Sequence, residues 1–220
     1  MPRQWSTIGH IGGIVEARTE NPGDDFPSDL VRAMQDGADI TEEEIAGVMY
    51  STLFAGHETT TTLMANALNV LMDNRDAWDA LVEDPSLVRA ATEEVLRYAP
   101  SIVSWRRKAK KPTEIGGISV PEGADILMVM GSGNRDDAVF PDGERFDISR
   151  TNARTHLSFG YGIHFCIGFQ LAKMEFGIML RELVSRFPNM VLNETQTINY
   201  LPSISFRVPD KLVVQPGGPL

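Results

Sequence analysis

The sequence predicts a mainly helical protein with small β-sheets, and three observations carry that prediction. A proline-free run from Glu42 to Met72 places apolar residues on two helix faces. The segment from Ile102 to Met130 breaks instead into short β-branched runs separated by Gly116-Gly117 and Pro121-Glu122-Gly123. From Gly168 to Phe187 the pattern is helical again, with Leu171, Met174 and Ile178 at helical spacing.

Taken in order, residues 1 to 30 give the weakest signal, with Gly12-Gly13 and Asn21-Pro22-Gly23 reading as turns around a short helical stretch. Leu30, Val31 and Met34 mark a helix that ends near Gly37. Thr41 and Glu44 then form a capping-box pattern at the head of the long helix. At ~1.5 Å per residue that helix reaches about 46 Å, and its apolar residues, among them Ile45, Val48, Leu53, Phe54, Leu63 and Leu71, predict burial. Arg75 to Glu83 forms a shorter helix. Asp84-Pro85 supplies a cap and a first-turn proline for the next, which stops at Tyr98 ahead of Pro100. Short strands are expected at Ile102–Trp105, Ile115, Ile118–Val120 and Ile126–Met130. Residues 131 to 155 are a turn-rich connection, and so long an irregular segment is usually functional. After the last long helix the tail alternates strand-like pieces with Pro202, Pro209 and Pro216.

Composition narrows the function. With 220 residues, 42% of them hydrophobic, the chain has enough apolar content for a substantial core. A net charge of −10 argues against general nucleic-acid binding, which needs Lys and Arg against phosphates. One local exception is the basic cluster Arg106, Arg107, Lys108, Lys110 and Lys111, which faces an anionic cofactor group or an acidic partner, or protects a solvated strand edge. No run reaches the ~18 apolar residues of a membrane span, so no membrane association is expected. One cysteine allows no intrachain disulfide, and a reducing, cytoplasmic setting is expected.

That cysteine, Cys166, stands in Phe159-Gly160-Tyr161-Gly162-Ile163-His164-Phe165-Cys166-Ile167-Gly168. Gly160 and Gly162 supply the positive φ angles of a tight loop and let amides turn toward the sulfur, while Phe159 shields one side. A helix beginning just after Gly168 adds its partial positive end, which favours a thiolate. Within the long helix, Ala55-Gly56-His57-Glu58-Thr59-Thr60-Thr61-Thr62 is a run of poor helix formers, expected to loosen the hydrogen-bond ladder and open a kink. His57-Glu58 does not complete a His-Glu-x-x-His zinc motif, because Thr61 occupies the second ligand position. Gly160-Tyr161-Gly162 does not complete a phosphate loop, because Phe165 stands where the last glycine is needed.

The cysteine run resembles the haem-binding loop of the cytochrome P450 family, Phe-Gly-x-Gly-x-His/Arg-x-Cys-x-Gly, with every specified position filled. Ala55 to Thr59 is similar to that family's oxygen-binding groove, Ala/Gly-Gly-x-Asp/Glu-Thr. Glu94-Val95-Leu96-Arg97 matches its Glu-x-x-Arg helix, and Arg145 in Pro-x-x-x-Arg-Phe matches the third member of a buried charge network. Without the resemblance, Glu94 and Arg97 are an ordinary surface pair three residues apart. The landmarks follow the family's order from about Asp24 to Gly217.

The resemblance implies a cytochrome P450 fold, incomplete at its N-terminus, with residues 1–220 forming the C-terminal haem-binding portion of the domain. It implies that haem b is the cofactor, with Cys166 as the axial thiolate of its iron. Ala55, Gly56, Phe159, Gly160 and Gly168 line the cofactor, and Arg107 and His164 meet its propionates. Glu58 and Thr59 organise protons where dioxygen is cleaved. The activity implied is insertion of one atom of dioxygen into a small organic substrate, with electrons from a ferredoxin or flavodoxin-like donor. The alternative is a non-catalytic remnant that keeps the core of the fold without stable haem. A peroxide-driven enzyme is disfavoured by Glu58 and Thr59. The substrate is not legible, because most pocket-lining segments of the family lie upstream of this sequence.

Overall fold

A computed structural model describes residues 7–217 of the protein. The chain divides into two compact units, one ending at Glu58 and the other beginning at Thr59. The first contains α1 (Thr7–Glu20), α2 (Phe26–Gln35) and the start of α3 (Glu42–Asp73). α1 runs straight through Gly12-Gly13, where the sequence predicts a turn. Ile11 and Val15 lie four residues apart and are both buried, and burying that stripe offsets the ~1 kcal/mol that each helical glycine costs. Val15 joins Val31 and Ile45 in a small core, with Leu30, Met34, Ile40 and Met49 packed around it. Asp25 caps α2 by accepting from the Ser28 amide at 3.0 Å, and its other oxygen accepts from Arg18 Nε at 2.7 Å. The Ser28 hydroxyl and Arg18 hold its carboxyl below the usual range.

The capping box at the head of α3 is present in full. The Thr41 amide donates to Glu44 Oε2 at 2.8 Å, and the Glu44 amide donates to Thr41 Oγ1 at 3.2 Å. The poor helix formers at 55–62 leave the helix unbroken. Burial along α3 is uneven, however, and corrects the expectation that the whole helix is enclosed. Val48, Tyr50, Leu53 and Phe54 are exposed, whereas Leu63, Ala67, Val70 and Leu71 are buried.

The second unit is built on the buried part of α3 together with α4 (Arg75–Glu83), α5 (Val88–Tyr98) and α7 (Phe169–Arg186). Its core gathers Leu63, Leu71, Trp78, Leu81, Val88, Val95, Phe176 and Leu180. Trp78 is fully buried and donates its indole N–H to the Pro188 carbonyl at 2.8 Å, so the largest core side chain leaves no polar atom unsatisfied. α7 forms where the spacing predicts a helix, and its two apolar faces differ in burial. Phe176, Gly177, Leu180 and Val184 face the core, while Leu171, Met174 and Ile178 are exposed.

Three two-stranded antiparallel sheets complete the unit. β1 (Trp105–Lys108) pairs with β4 (Asp125–Met128), so the first and last strands of this region begin and end at other residues than predicted. Ile102, expected in the first strand, makes an isolated bridge to Phe206 instead. β2 (Thr113–Ile115) and β3 (Ile118–Val120) form a hairpin closed by Gly116 and Gly117, both at positive φ, as a two-residue turn of this hand requires. β5 (Val191–Leu192) pairs with β6 (Val214–Gln215). Between β4 and α7 the connection holds only the short helix α6 (Met130–Gly133) and 3-10 turns at Ala153–Thr155 and Gly162–His164. Among the described residues, no helix is long and apolar enough to cross a membrane.

Candidate active site

The cysteine loop is folded by its own backbone. Gly160 and Gly162 take φ angles of 76° and 74°, in the left-handed region where a side chain would be strained. The Gly160 amide donates to Leu157 O at 2.8 Å, the Phe165 amide to Gly162 O at 3.0 Å and the Cys166 amide to Phe159 O at 2.9 Å. The last bond corrects one detail of the expected thiolate nest, because the Cys166 amide serves the loop and not the sulfur. Gly168 stands at the N-cap of α7, as expected, so Cys166 lies just before the positive end of an 18-residue helix. Cys166 is a free thiol and half-buried.

Phe159, Phe165 and Phe169 form an edge-to-face cluster beside the cysteine, with centroid separations of 6.3, 6.1 and 5.0 Å. On the outer side the loop is open and apolar. Ile163 and Ile167 are 97% and 101% exposed, and His164 is exposed between them.

The loop is anchored from below through Asn134 and Ser158. Asn134 is fully buried, accepts the Leu157 amide at 2.7 Å and donates to Ser158 Oγ at 2.9 Å; Ser158 Oγ donates to Leu96 O at 2.5 Å. Beneath this lies the charge knot of α5. Arg97 and Glu94 are both 0% exposed, and the guanidinium is bidentate on the carboxylate at 2.8 and 2.7 Å. Its remaining hydrogens reach the carbonyls of Asn134, Gly143 and Arg145 at 2.8, 2.8 and 2.9 Å. Glu94 Oε1 also accepts the Asp147 amide at 2.8 Å.

Arg145 joins this knot through its backbone oxygen, and its guanidinium lies outside it. That side chain is 69% exposed and pairs with Asp147 at 3.4 Å. The second buried guanidinium is that of Arg150, whose Nε stands 3.5 Å from Glu94 Oε1 with only 9% of its side chain exposed. Sequence spacing selects Arg145 because it belongs to the Pro-x-x-x-Arg-Phe motif. Arg150 carries no comparable mark.

The remaining expected residues stand on their own elements. Arg107 is half-buried on β1 and donates to the Arg106 carbonyl at 2.9 Å. Ala55, Gly56 and Glu58 are exposed on α3, and apart from the adjoining residues and backbone of its own helix no described atom lies within 4 Å of the place where a Cβ on Gly56 would stand. Thr59 is half-buried, and its carbonyl accepts the Ser101 hydroxyl at 2.6 Å, a tie between α3 and the segment after α5 that the sequence does not announce.

Also unannounced is a cluster below the loop. Lys173 Nζ is 2.9 Å from Glu93 Oε1, and His156 Nε2 is 3.4 Å from Glu93 Oε2. His156 carries no mark in the sequence, and its side chain is 3% exposed. Burial pushes the Glu93 carboxyl up, but hydrogen bonds and charge from His156 and Lys173 outweigh it and bring it down to about 2.

With this geometry in place, comparison with known proteins defines the class. The profile of the family described as Cytochrome P450 matches residues 14–214. Cytochrome P450 107B1 of Saccharopolyspora erythraea is 38% identical over 206 residues, covering 93% of this chain and 50% of that protein. Cyclomarin C epoxidase CymV of Salinispora arenicola is 42% identical over 184 residues, covering 84% of this chain and 46% of that one. The crystal structure of cytochrome P450 CREJ in complex with (4-ethylphenyl) dihydrogen phosphate superposes with a TM-score of 0.91 at 50% identity, covering 94% of this chain and 51% of CREJ. The chain belongs to the cytochrome P450 family and has its fold. It spans about half the length of the curated relatives it matches.

Proposed function

We propose that this chain is the C-terminal haem-binding part of a haem-thiolate monooxygenase, which inserts one atom of dioxygen into a small organic substrate. The observation that carries the reading is the cysteine loop, in which two left-handed glycines and a Phe159–Cys166 backbone bond present one thiol beside an apolar outer face. Family members named as hydroxylases and an epoxidase support oxygen insertion.

The residues fit haem b. Haem carries its iron with it and would need one ligand from the protein. Cys166 is that ligand, favoured as thiolate by the N-terminal end of α7. Ile163, Phe165 and Ile167 are exposed apolar side chains that would hold it. Arg107 and His164 would be donors for its propionates and Phe159, Gly160 and Gly168 would line it, while Ala55 and Gly56 are assigned to the cofactor by the resemblance alone. Bound there, haem supplies the activation of dioxygen.

The chain's own part in the chemistry is proton handling. Thr59 holds a proton at its hydroxyl, and Glu58, exposed at the surface of α3, exchanges protons with solvent. Electrons come from a ferredoxin or flavodoxin-like donor, for which the basic cluster 106–111 is one charged surface, and the setting is the cytoplasm. Reaction under heavy-isotope dioxygen, with mass spectrometry of product and water, tests this reading. One labelled oxygen in the product and one in water is expected, and label absent from the product overturns it. Thr59→Ala should divert reducing equivalents to hydrogen peroxide while haem binding survives.

A further inference from the structure

We infer that Glu93, His156 and Lys173 form a bracket that positions the Cys166 loop, acting through Phe159. The purpose of the bracket rests on reading Cys166 as the iron ligand; its geometry does not. Three separate elements meet in it: Glu93 on α5, His156 in the connection before the loop, and Lys173 in the second turn of α7. The side chains of Glu93, His156 and Lys173 are 17%, 3% and 26% exposed. The Ser158 amide donates to His156 Nδ1 at 3.2 Å, so the ring proton belongs on Nε2, the atom that faces Glu93 Oε2 at 3.4 Å. Neither of those two buried atoms meets a hydrogen-bond partner of good geometry among the described residues, so the 3.4 Å contact between them is electrostatic. The carboxylate therefore spans both neighbours and holds them.

Both neighbours touch the same ring. The His156 and Phe159 centroids are 5.6 Å apart, and Lys173 Nζ lies 5.4 Å from the Phe159 centroid and 5.8 Å from that of Phe169. An ammonium at that range is attracted to the ring face, more strongly where water is scarce. Phe159 in turn contacts Phe165 and Phe169, and its carbonyl accepts the Cys166 amide at 2.9 Å. The ring is thus pinned from below by a neutralised charge cluster, and the residue carrying that ring fixes the cysteine backbone. Lys173 and His156 are positioning residues: they touch the Phe159 ring and leave the sulfur alone.

Amide hydrogen exchange of Cys166 in the chain as it stands reads this directly and needs no haem. Lys173→Met keeps the aliphatic stem and removes the ammonium. It should accelerate Cys166 exchange about tenfold while amides of α4 are unchanged. Lys173→Arg should restore protection to within about threefold of wild type. Glu93→Gln, which leaves Lys173 in place but unpaired, should accelerate exchange in the same direction by less, and it serves if the methionine variant does not fold. Wild-type protection in both variants, an arginine variant as fast as the methionine one, or equal acceleration at Cys166 and α4 overturns the bracket. Failure of Cys166 to ligate iron leaves this outcome untouched, so the two readings fail separately.

Discussion

The charge knot on α5 and the cysteine loop above it are finished to different degrees. Around Arg97 and Glu94 the chain supplies every partner: both side chains are inaccessible, and three carbonyls and one amide from the connection between β4 and α7 close the knot. The cysteine loop has its backbone bonds and aromatic underside in place, but its outer face leaves Tyr161, Ile163 and Ile167 almost wholly exposed. The exposed stripe of Leu171, Met174 and Ile178 on α7 repeats the contrast. Scaffold and reactive surface are therefore separable, with local contacts completing the first and a further apolar surface needed for the second.

Breaking the knot should have the largest effect. Arg97→Met strands the buried Glu94 carboxylate and three carbonyls, and should cost roughly 3 to 5 kcal/mol in urea denaturation. A loss below about 1 kcal/mol would mean that packing alone closes the scaffold. Gly143→Ala is a smaller insult in the same place. A Cβ there would collide with the Arg135 carbonyl, so backbone must shift, at about 1 to 3 kcal/mol by the same assay.

The pH dependence sharpens the comparison from between the two regions. Glu93, with its carboxyl lowered to about 2 from its ordinary 4.5, contributes stability that is present above 4.5 and is lost as pH falls toward 2. Urea midpoints should therefore drop through that window, and Glu93→Gln should flatten the slope there. The smallest effect on stability belongs to the loop rim. Ile167→Ser should stay within about 0.5 kcal/mol of wild type, since the side chain is exposed, and yet should weaken haem affinity in a titration.

Legibility in the sequence follows the range of the interaction. The capping box of Thr41 and Glu44, the glycine hairpin at 116–117 and the left-handed pair Gly160 and Gly162 are local, and each stands where it is expected, whereas Asp84-Pro85 opens a 3-10 turn at Pro85–Leu87 and α5 follows only from Val88. Gly12-Gly13 misleads because the packing of Ile11 and Val15 overrides the local preference. Arg145 and Arg150 exchange roles because side-chain direction in an irregular segment has no period. Glu93, His156 and Lys173 come from three elements, so no spacing links them. The uneven burial of α3 and α7 is equally hidden, since an apolar stripe shows that a face can be buried and not which neighbour covers it.

The central claim is that the loop around Cys166 ligates haem iron through sulfur. Its most direct test is the absorption spectrum of the haem-reconstituted, reduced protein under carbon monoxide, for wild type beside Cys166→Ser. Because the chain has one cysteine, the assignment is unambiguous. The account predicts the red-shifted Soret band of thiolate ligation in the wild type and its loss in the serine variant. A histidine-type band in folded wild-type protein, or a thiolate-type band that survives the substitution, would contradict it.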